Sequence, residues 1–378
     1  MTKLYHSADF QLDARQYNHP TRNEDYDKAF QDYCQLIAND PEAIGGTILG
    51  DLIDHKQRHD LLLKKIFDAM RPCFNQGKTL WFLGGNHDGT NPTLAEAIKY
   101  PGLKDAGEEF AKCLANGEPF QPYGADGPNV CALNFLTYNE LISKLSEIKN
   151  VEIHKSTELW LHISMFPAVP QIQSPLNQTM IHHLGWDTIV AGDTHNPGAF
   201  ECSDTNGKLL IPGSPEMTDI NEKTNKGFLI NDINKGWDKI PYSPRPFKTF
   251  DFGDTEPQES QIREVIKYLD DLKDEREPII KIISAGGWRK NKDIRPRTLI
   301  ILEDKPKKRN EKLLESETDV NTNNDSNPKL NIETKNTWNA LCQVAKASKY
   351  SKDSKSTILN VINNPKDPES WGNEPANN

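Results

Sequence analysis

At 378 residues, of which 35% are hydrophobic, the chain is long enough for two domains and too polar for all of it to be packed. Its formal net charge of -10 excludes a generally basic nucleic-acid coat, although a bound metal pair would locally reverse the sign of an acidic site. Six scattered cysteines without a Cys-x-x-Cys pair read as reduced thiols of a cytosolic protein, no apolar run approaches the roughly 20 residues that span a bilayer, and the N-terminus shows no signal-peptide core.

The first strand, Lys3 to Leu12, ends in a polar loop that carries Asp9 and Gln11. Residues 13–24 are expected as surface loop, and Tyr26, Phe30, Tyr33 and Ile37 predict a helix over 25–37. The second strand, Ile44 to Leu49, ends in Gly50-Asp51-Leu52-Ile53-Asp54. Leu61, Leu62, Ile66, Phe67 and Met70 then give a helical stripe between Lys56 and Asn75. The third strand, Thr79 to Gly84, ends in Gly85-Asn86-His87-Asp88. Strand, crossover helix and strand form a βαβ unit, which leaves both polar clusters at one edge of a parallel sheet. Open α/β sheets place their ligands at that edge. Short apolar runs of this kind suit strands of a sheet covered by helices on both faces.

Beyond Asp88 the pattern predicts a short helix over 92–99, loop over 107–128, weak strands at 130–133 and 151–153, and a helix over 138–148. A strand over 158–163 carries His162 at its end. Residues 179–185 read as a helix, and 186–191 as a strand that ends in Gly192-Asp193-Thr194-His195. The strand over 208–211 runs into Pro212-Gly213-Ser214-Pro215-Glu216, and the strand over 226–230 is expected to pair beside it. A proline-punctuated connector, Tyr242 to Phe247, leads to a small α+β unit with a helix over 259–272 and strands over 278–283 and 297–302. From Glu303 the chain turns polar, with Lys-rich residues 305–309 and then Asn, Asp, Ser and Thr up to Asn331. Such a segment buries too little to offset its ordering entropy. Apolar-faced segments follow at 335–347 and 356–362. The division read from this is a core over 1–240, a second domain over 241–302, a disordered linker over 303–334 and a docking tail over 335–378.

Five strand ends therefore share one grammar: Asp9 with Gln11, Asp51 with Asp54, Asn86 with His87 and Asp88, His162, and Asp193 with His195. One strand-end carboxylate is normally a turn residue or helix cap, and one histidine is normally satisfied within the core. Five in succession exceed what turn chemistry needs. Convergence of such groups on one sheet edge is what a two-metal site requires, with one carboxylate bridging ions about 3.5–4 Å apart. His55, His59, His182 and His183, the pair Lys64-Lys65, and the basic residues from Arg289 to Arg297 are each explained by structural or solvated roles.

Gly50-Asp51-x-x-Asp54, Gly85-Asn86-His87-Asp88 and Gly192-x-Thr194-His195 resemble the calcineurin-like metallophosphoesterases. Three features narrow the resemblance to the nuclease subunit of SbcC–SbcD-type DNA-repair complexes and their phage counterparts. They are the opening strand Leu4-Tyr5-His6-Ser7-Ala8-Asp9, the segment Pro212-Gly213-Ser214-Pro215 followed by Lys226-Gly227-Phe228, and Arg245-Pro246-Phe247 leading into a helix and two strands. The resemblance implies an α/β fold, a two-sheet sandwich flanked by helices, with a small α+β DNA-capping domain and a polar C-terminal tail. It implies Asp51 as a bridging ligand of two divalent ions, Asp9 and His195 on the first ion, and Asn86 and His162 on the second. His87 would stabilise the pentavalent phosphorus or protonate the leaving oxygen, with Asp88 orienting its ring.

Gln11 and Asp193 stand where that family usually has histidines, and both are counted as metal ligands here. Each trades nitrogen for oxygen, which favours Mn²⁺, or Mg²⁺, over softer ions. The implied activity is that of a metal-dependent DNA exo/endonuclease in a bacterial or phage-infected cytoplasm, homodimeric, and working with an SMC-like ATPase docked through the tail. Two other readings stay open: a phosphoesterase for nucleotides or phosphoproteins, and a degenerate scaffold, for which Gln11 and Asp193 are the evidence.

Overall fold

Alternation of side chains along the strands sorts the core into three apolar layers. The computed structural model describes residues 2–304 apart from 19–20, 55–59, 89–110, 114–116, 118, 125–126, 151–157, 172, 175, 254–257, 273, 275 and 285–298. These residues belong to one compact unit, Met1–Lys307. The expected helix over 92–99, the strand over 151–153, His55, His59, Arg289 to Arg297, the Lys-rich stretch, the linker and the tail lie outside the described residues.

In the first sheet β1 (Lys3–Ser7), β2 (Ala43–Leu49), β3 (Thr79–Leu83) and β4 (Ala111–Cys113) run parallel, and β10 (Gly227–Asp232) and β11 (Gly236–Pro241) extend it antiparallel beyond β1. The second sheet has the order β5 (Val130–Ala132), β6 (Glu158–His162), β7 (Thr188–Gly192), β9 (Lys208–Ile211) and β8 (Gly198–Glu201), with β8 alone antiparallel. Tyr5, Ile48, Leu80 and Phe82 pack under α1 (Arg22–Asn39) and α2 (Asp60–Asn75), against the Tyr26, Phe30, Tyr33, Ile37, Leu62, Ile66, Phe67 and Met70 stripes that the sequence shows. Leu4, Leu49, Trp81 and Leu83 face the other way and meet Val130, Trp160, Val190 and Leu210 of the second sheet. Leu159, Leu161 and Ile189 turn outward to α3 (Tyr138–Asn150) and α4 (Gln178–His182). Each fully buried side chain of this size contributes about 1.5–3 kcal/mol. The result is the expected two-sheet sandwich flanked by helices.

Two expectations are corrected. Among the described residues each sheet has helices on one face only, and the partner sheet covers the other. An apolar run is silent on which kind of layer will cover it. The strand over 226–230, expected beside Lys208–Ile211, lies in the first sheet, with Lys3 opposite Asp232 and His6 opposite Leu229. The intervening segment is no hairpin. It crosses from one sheet to the other and is held by Lys226, whose Nζ donates to the His195 carbonyl and to Ser214 Oγ, both at 2.9 Å.

A third, parallel sheet of β12 (Phe247–Asp251), β13 (Ile279–Ser284) and β14 (Leu299–Asp304) packs Phe250, Ile280 and Ile282 on Val265 and Leu269 of α5 (Glu259–Asp271). β12 is hidden in the sequence by the prolines before it. A buried ionic network seats this unit: Arg22 Nη1 lies 2.6 Å from Asp25 Oδ2 and 3.1 Å from Glu216 Oε2, and Arg245 Nε lies 2.5 Å from Asp25 Oδ2. Because a buried ion is tolerable only when paired, removing one member strands the others. The described cysteines Cys34, Cys73, Cys131 and Cys202 are free thiols, and no described helix is long and apolar enough to cross a membrane.

Candidate metal centre

The loops that follow β1, β2, β3, β6 and β7 meet at the carboxyl ends of both sheets. Left-handed backbone recurs in these loops, at Asp9 (φ 54°), Gln11 (φ 51°), Asp51 (φ 51°) and Asp193 (φ 73°) and also at Asp13 (φ 66°) and Tyr17 (φ 56°). Asp tolerates that region better than most residues, and such strain concentrates at functional sites. Two glycines make room. A Cβ on Gly85 would stand 2.0 Å from Asp51 Oδ1, and one on Gly50 would stand 2.1 Å from His162 Nδ1.

Asp9, Asp51 and His162, all buried, bring one potential ligand atom each within 4.8 Å of one another. His162 Nδ1 donates to the Leu49 carbonyl at 2.7 Å, while Nε2 lies 3.0 Å from Asn86 Oδ1, 3.4 Å from Asp51 Oδ2 and 4.0 Å from Asp193 Oδ1. Burial alone would lower the His162 pKa, but Asp51, Asp9 and Asp193 outweigh it and raise it to about 10. Burial raises Asp9 to about 7, although His195 and His162 pull it down. Burial also opposes ionisation of Asp51, yet His162 and the His87 N–H hold it below its ordinary value. The Nε2 proton of His162 thus occupies the position of a cation among carboxylates. Gln11 Nε2 donates to Asp51 Oδ2 at 3.2 Å, and its buried Oε1 has no partner among the described residues. Surplus negative charge, a histidine with one nitrogen facing inward and an unmatched amide oxygen fit a hard divalent cation.

The other expected residues surround this cluster. The Asp193 N–H donates to both Asp9 oxygens at 3.2 Å, and Asp193 Oδ2 accepts from the Ser164 N–H at 2.7 Å. His195 acts on Asp9 electrostatically, and its Nδ1 is held by Glu222 Oε1 at 3.0 Å and by Thr218 Oγ1, so Nε2 is its remaining ligand atom. Lys226 Nζ lies 2.6 Å from Glu222 Oε2. Against the pull of burial, His195 and Lys226 bring the Glu222 pKa down to about 2. Glu222 and Thr218 were not legible as site residues, since they lie more than 20 positions from His195 in a segment without periodicity.

The His87 N–H donates to Asp51 Oδ1 at 2.9 Å, and its ring Nδ1 donates to the Asp54 carbonyl at 2.7 Å. Asp88, expected to orient that ring, accepts from the N–H groups of Gly85 (2.9 Å), Ile53 (3.3 Å) and Leu52 (3.4 Å). Asp88 therefore clamps the loop after β3 to the loop after β2, and Asp54 positions the His87 ring. A cavity of about 350 Å³ opens beside the cluster, lined by Gln11, Arg15, Gln16, Tyr26, Asp54, His87, His195 and Thr218. His182 takes the structural part expected of it, with Nδ1 donating to the Trp186 carbonyl at 2.6 Å. Lys64 and Lys65 sit 2.6 Å from Asp68 and Asp27 at the surface.

No family model matches this chain, and no curated protein matches it. Among solved structures, the GAP50 anchor of the Plasmodium inner membrane complex is similar at 15% identity and a TM-score of 0.43, over 64% of this chain and 84% of that one. A conserved Streptococcus pneumoniae protein described as a phosphoesterase is similar at 10% identity and a TM-score of 0.28, over 64% and 97%. The phosphopantetheinyl hydrolase of Mycobacterium tuberculosis is similar at 10% identity and a TM-score of 0.32, over 56% and 90%. All three scores are below 0.5, so the chemistry rests on the side-chain geometry and not on the likeness.

Proposed function

We propose that the chain is a divalent-metal-dependent phosphodiesterase acting on DNA, a homodimeric nuclease subunit that works with an SMC-like ATPase. The observation that carries the hydrolase reading is the buried meeting of Asp9, Asp51 and His162 at the carboxyl ends of two sheets. Asp51 would be shared between two ions, with Asp9 and His195 on one side and Asn86 and His162 on the other, and with Gln11 and Asp193 as further ligands. Bound there, Mn²⁺ or Mg²⁺ supplies the positive charge and the activated water that an in-line displacement at phosphorus requires.

The chain's own residues do the rest. His87 Nδ1 is committed to the Asp54 carbonyl, so Nε2 is the nitrogen that faces the site and gives its proton to the leaving oxygen. Asp54 fixes the ring, and Asp88 fixes the loop that carries it. Arg15 lines the cavity, and its guanidinium is suited to a phosphate group of the substrate. The resemblance of Arg245-Pro246-Phe247 and the sheet behind it to a DNA-capping unit favours DNA over a small phosphoester.

The test is Mn²⁺-dependent hydrolysis of linear duplex DNA beside hydrolysis of bis(p-nitrophenyl) phosphate. We expect DNA to be cleaved, with a loss of about a thousandfold in Asp51→Asn and about a hundredfold or more in His87→Ala. Cleavage of the small diester alone would move the substrate class away from DNA. Cleavage of neither, or activity indifferent to both variants, would leave a scaffold. For the partner, a chain lacking residues 303–378 should fail to co-purify with the ATPase while still binding Mn²⁺, and retained co-purification rejects the tail as the docking segment.

A further inference from the structure

Large apolar side chains that stand in water need a reason when they gather beside a site. Among the described residues these are Leu61, Phe135, Phe166, Met180 and Ile233. The three aliphatic members sit on α2, on α4 and just after β10. The two aromatic members, Phe135 at 39% exposure and Phe166 at 37%, sit on the loops that leave the neighbouring strands β5 and β6 at the metal-centre end.

Neither ring is on a frayed loop. The Phe135 N–H donates to the Gly84 carbonyl at 2.7 Å and the Gly84 N–H donates back to Asn134 Oδ1 at 2.7 Å, one position before the Gly85-Asn86-His87-Asp88 motif. The Phe135 ring lies edge-to-face with His162, centroids 6.4 Å apart. The Phe166 N–H donates to the Leu176 carbonyl at 2.9 Å, and the Phe166 carbonyl accepts from the Gln178 N–H at 3.1 Å. Two positions earlier, Ser164 holds Asp193. The loops that carry both rings are thus anchored at the metal-centre end of the second sheet, with the Phe135 ring beside His162, and a cavity lined by Arg15 and His87 opens beside the same cluster.

We infer that Phe135 and Phe166 form a stacking wall for the unpaired bases of a single-stranded polynucleotide whose phosphate enters the metal centre. This rests on the phosphodiesterase reading and adds the state of the substrate to it. A ligand that offers planar rings, a phosphate for the metal centre and a further anion for Arg15 is a nucleotide chain. Bases locked in a duplex cannot present their faces to two protein rings, so strand separation at the cleavage point is part of recognition.

The experiment is binding of a single-stranded oligothymidylate carrying one 2-aminopurine, in EDTA so that nothing is cleaved. We expect its fluorescence to be quenched, its affinity to fall about tenfold in Phe135→Ala and again in Phe166→Ala, and Phe135→Trp to keep it. Met180→Ala should change nothing. The wild type should bind an abasic strand about tenfold more weakly, and the double alanine variant should treat both strands alike. Equal wild-type affinity for intact and abasic strands, binding of fully paired duplex as tight as of single strand, or a phosphotyrosine peptide that outcompetes the oligonucleotide would each overturn the inference. Adding Mn²⁺ separates the two readings. Base-dependent binding without cleavage sinks the hydrolase and keeps the wall, whereas cleavage indifferent to the bases keeps the hydrolase and sinks the wall.

Discussion

Strand β6 has a buried acid at its beginning and a metal-centre histidine at its end, and the two ends behave differently. Glu158 opens the strand. Burial pushes its pKa to about 7, the same value that burial gives Asp9 at the other end of the sandwich. Around Glu158 the groups are neutral: Trp160 Nε1 donates at 2.6 Å, Tyr123 Oη at 3.5 Å, and Asn231 Nδ2 supports Tyr123 at 2.8 Å. Around Asp9 they are Asp51, Asp193, His162 and His195, all able to carry charge. Asp9 also has left-handed backbone, and its neighbour Gln11 has an unmatched buried oxygen. A raised carboxyl pKa is therefore no marker of a site by itself. What separates the two is whether the neighbours satisfy the acid or are themselves charged groups that a cation would gather.

The largest expected effect breaks or keeps that comparison on the Glu158 side. Below its unfolded value of about 4.5 the group is neutral in both states; between 4.5 and about 7 the folded chain keeps a proton that the unfolded chain has lost. Folding stability contributed by that proton is complete below pH 4.5 and is lost as pH rises through 7, a change of about 3 kcal/mol. Glu158→Gln should flatten this part of a denaturant-unfolding series across pH and leave Mn²⁺ affinity where it was. A shift in Mn²⁺ affinity would place Glu158 in the site and undo the contrast.

How much of this was readable follows the same divide. Asp9, Asp51, Asn86, His162 and Asp193 were visible because each ends an apolar strand, and a parallel layout sends all such ends to one edge. The helical stripes of α1 and α2 were visible because amphipathic spacing is local. Glu158 was legible as the first residue of its strand but not as a buried acid, since only the fold brings the Trp160 N–H back onto it. The placement of β10 was not, because the crossing segment after Ile211 carries no sign of which sheet it returns to. The contacts of Asp54 and Asp88 were not readable for the same reason. Both lie in motifs, and only the closure of two loops on each other decides which one meets the His87 ring and which one collects backbone N–H groups.

A smaller effect tests the metal-centre side through a residue that touches no ligand position from the front. Glu222 accepts the His195 Nδ1 proton and so keeps Nε2 free to bind a cation, while Lys226 neutralises its second oxygen. Glu222→Gln keeps the shape but can present an N–H to the ring, which lets the wrong imidazole nitrogen carry the proton. Mn²⁺ affinity measured by calorimetry should fall about tenfold, up to a hundredfold, with the fold unchanged. Wild-type affinity should also rise as pH goes from 6 to 8, because a cation entering the cluster must displace the protons held on Asp9, with its pKa of about 7, and on His162, at about 10. Most of that slope should survive in Glu222→Gln, since the Asp9 and His162 protons remain, while the share from His195, whose pKa Glu222 helps to raise against burial, should shrink. If the variant lost the slope but kept the affinity, Glu222 would belong to the titrating cluster and the division between ligands and their supports would have to be redrawn around His195.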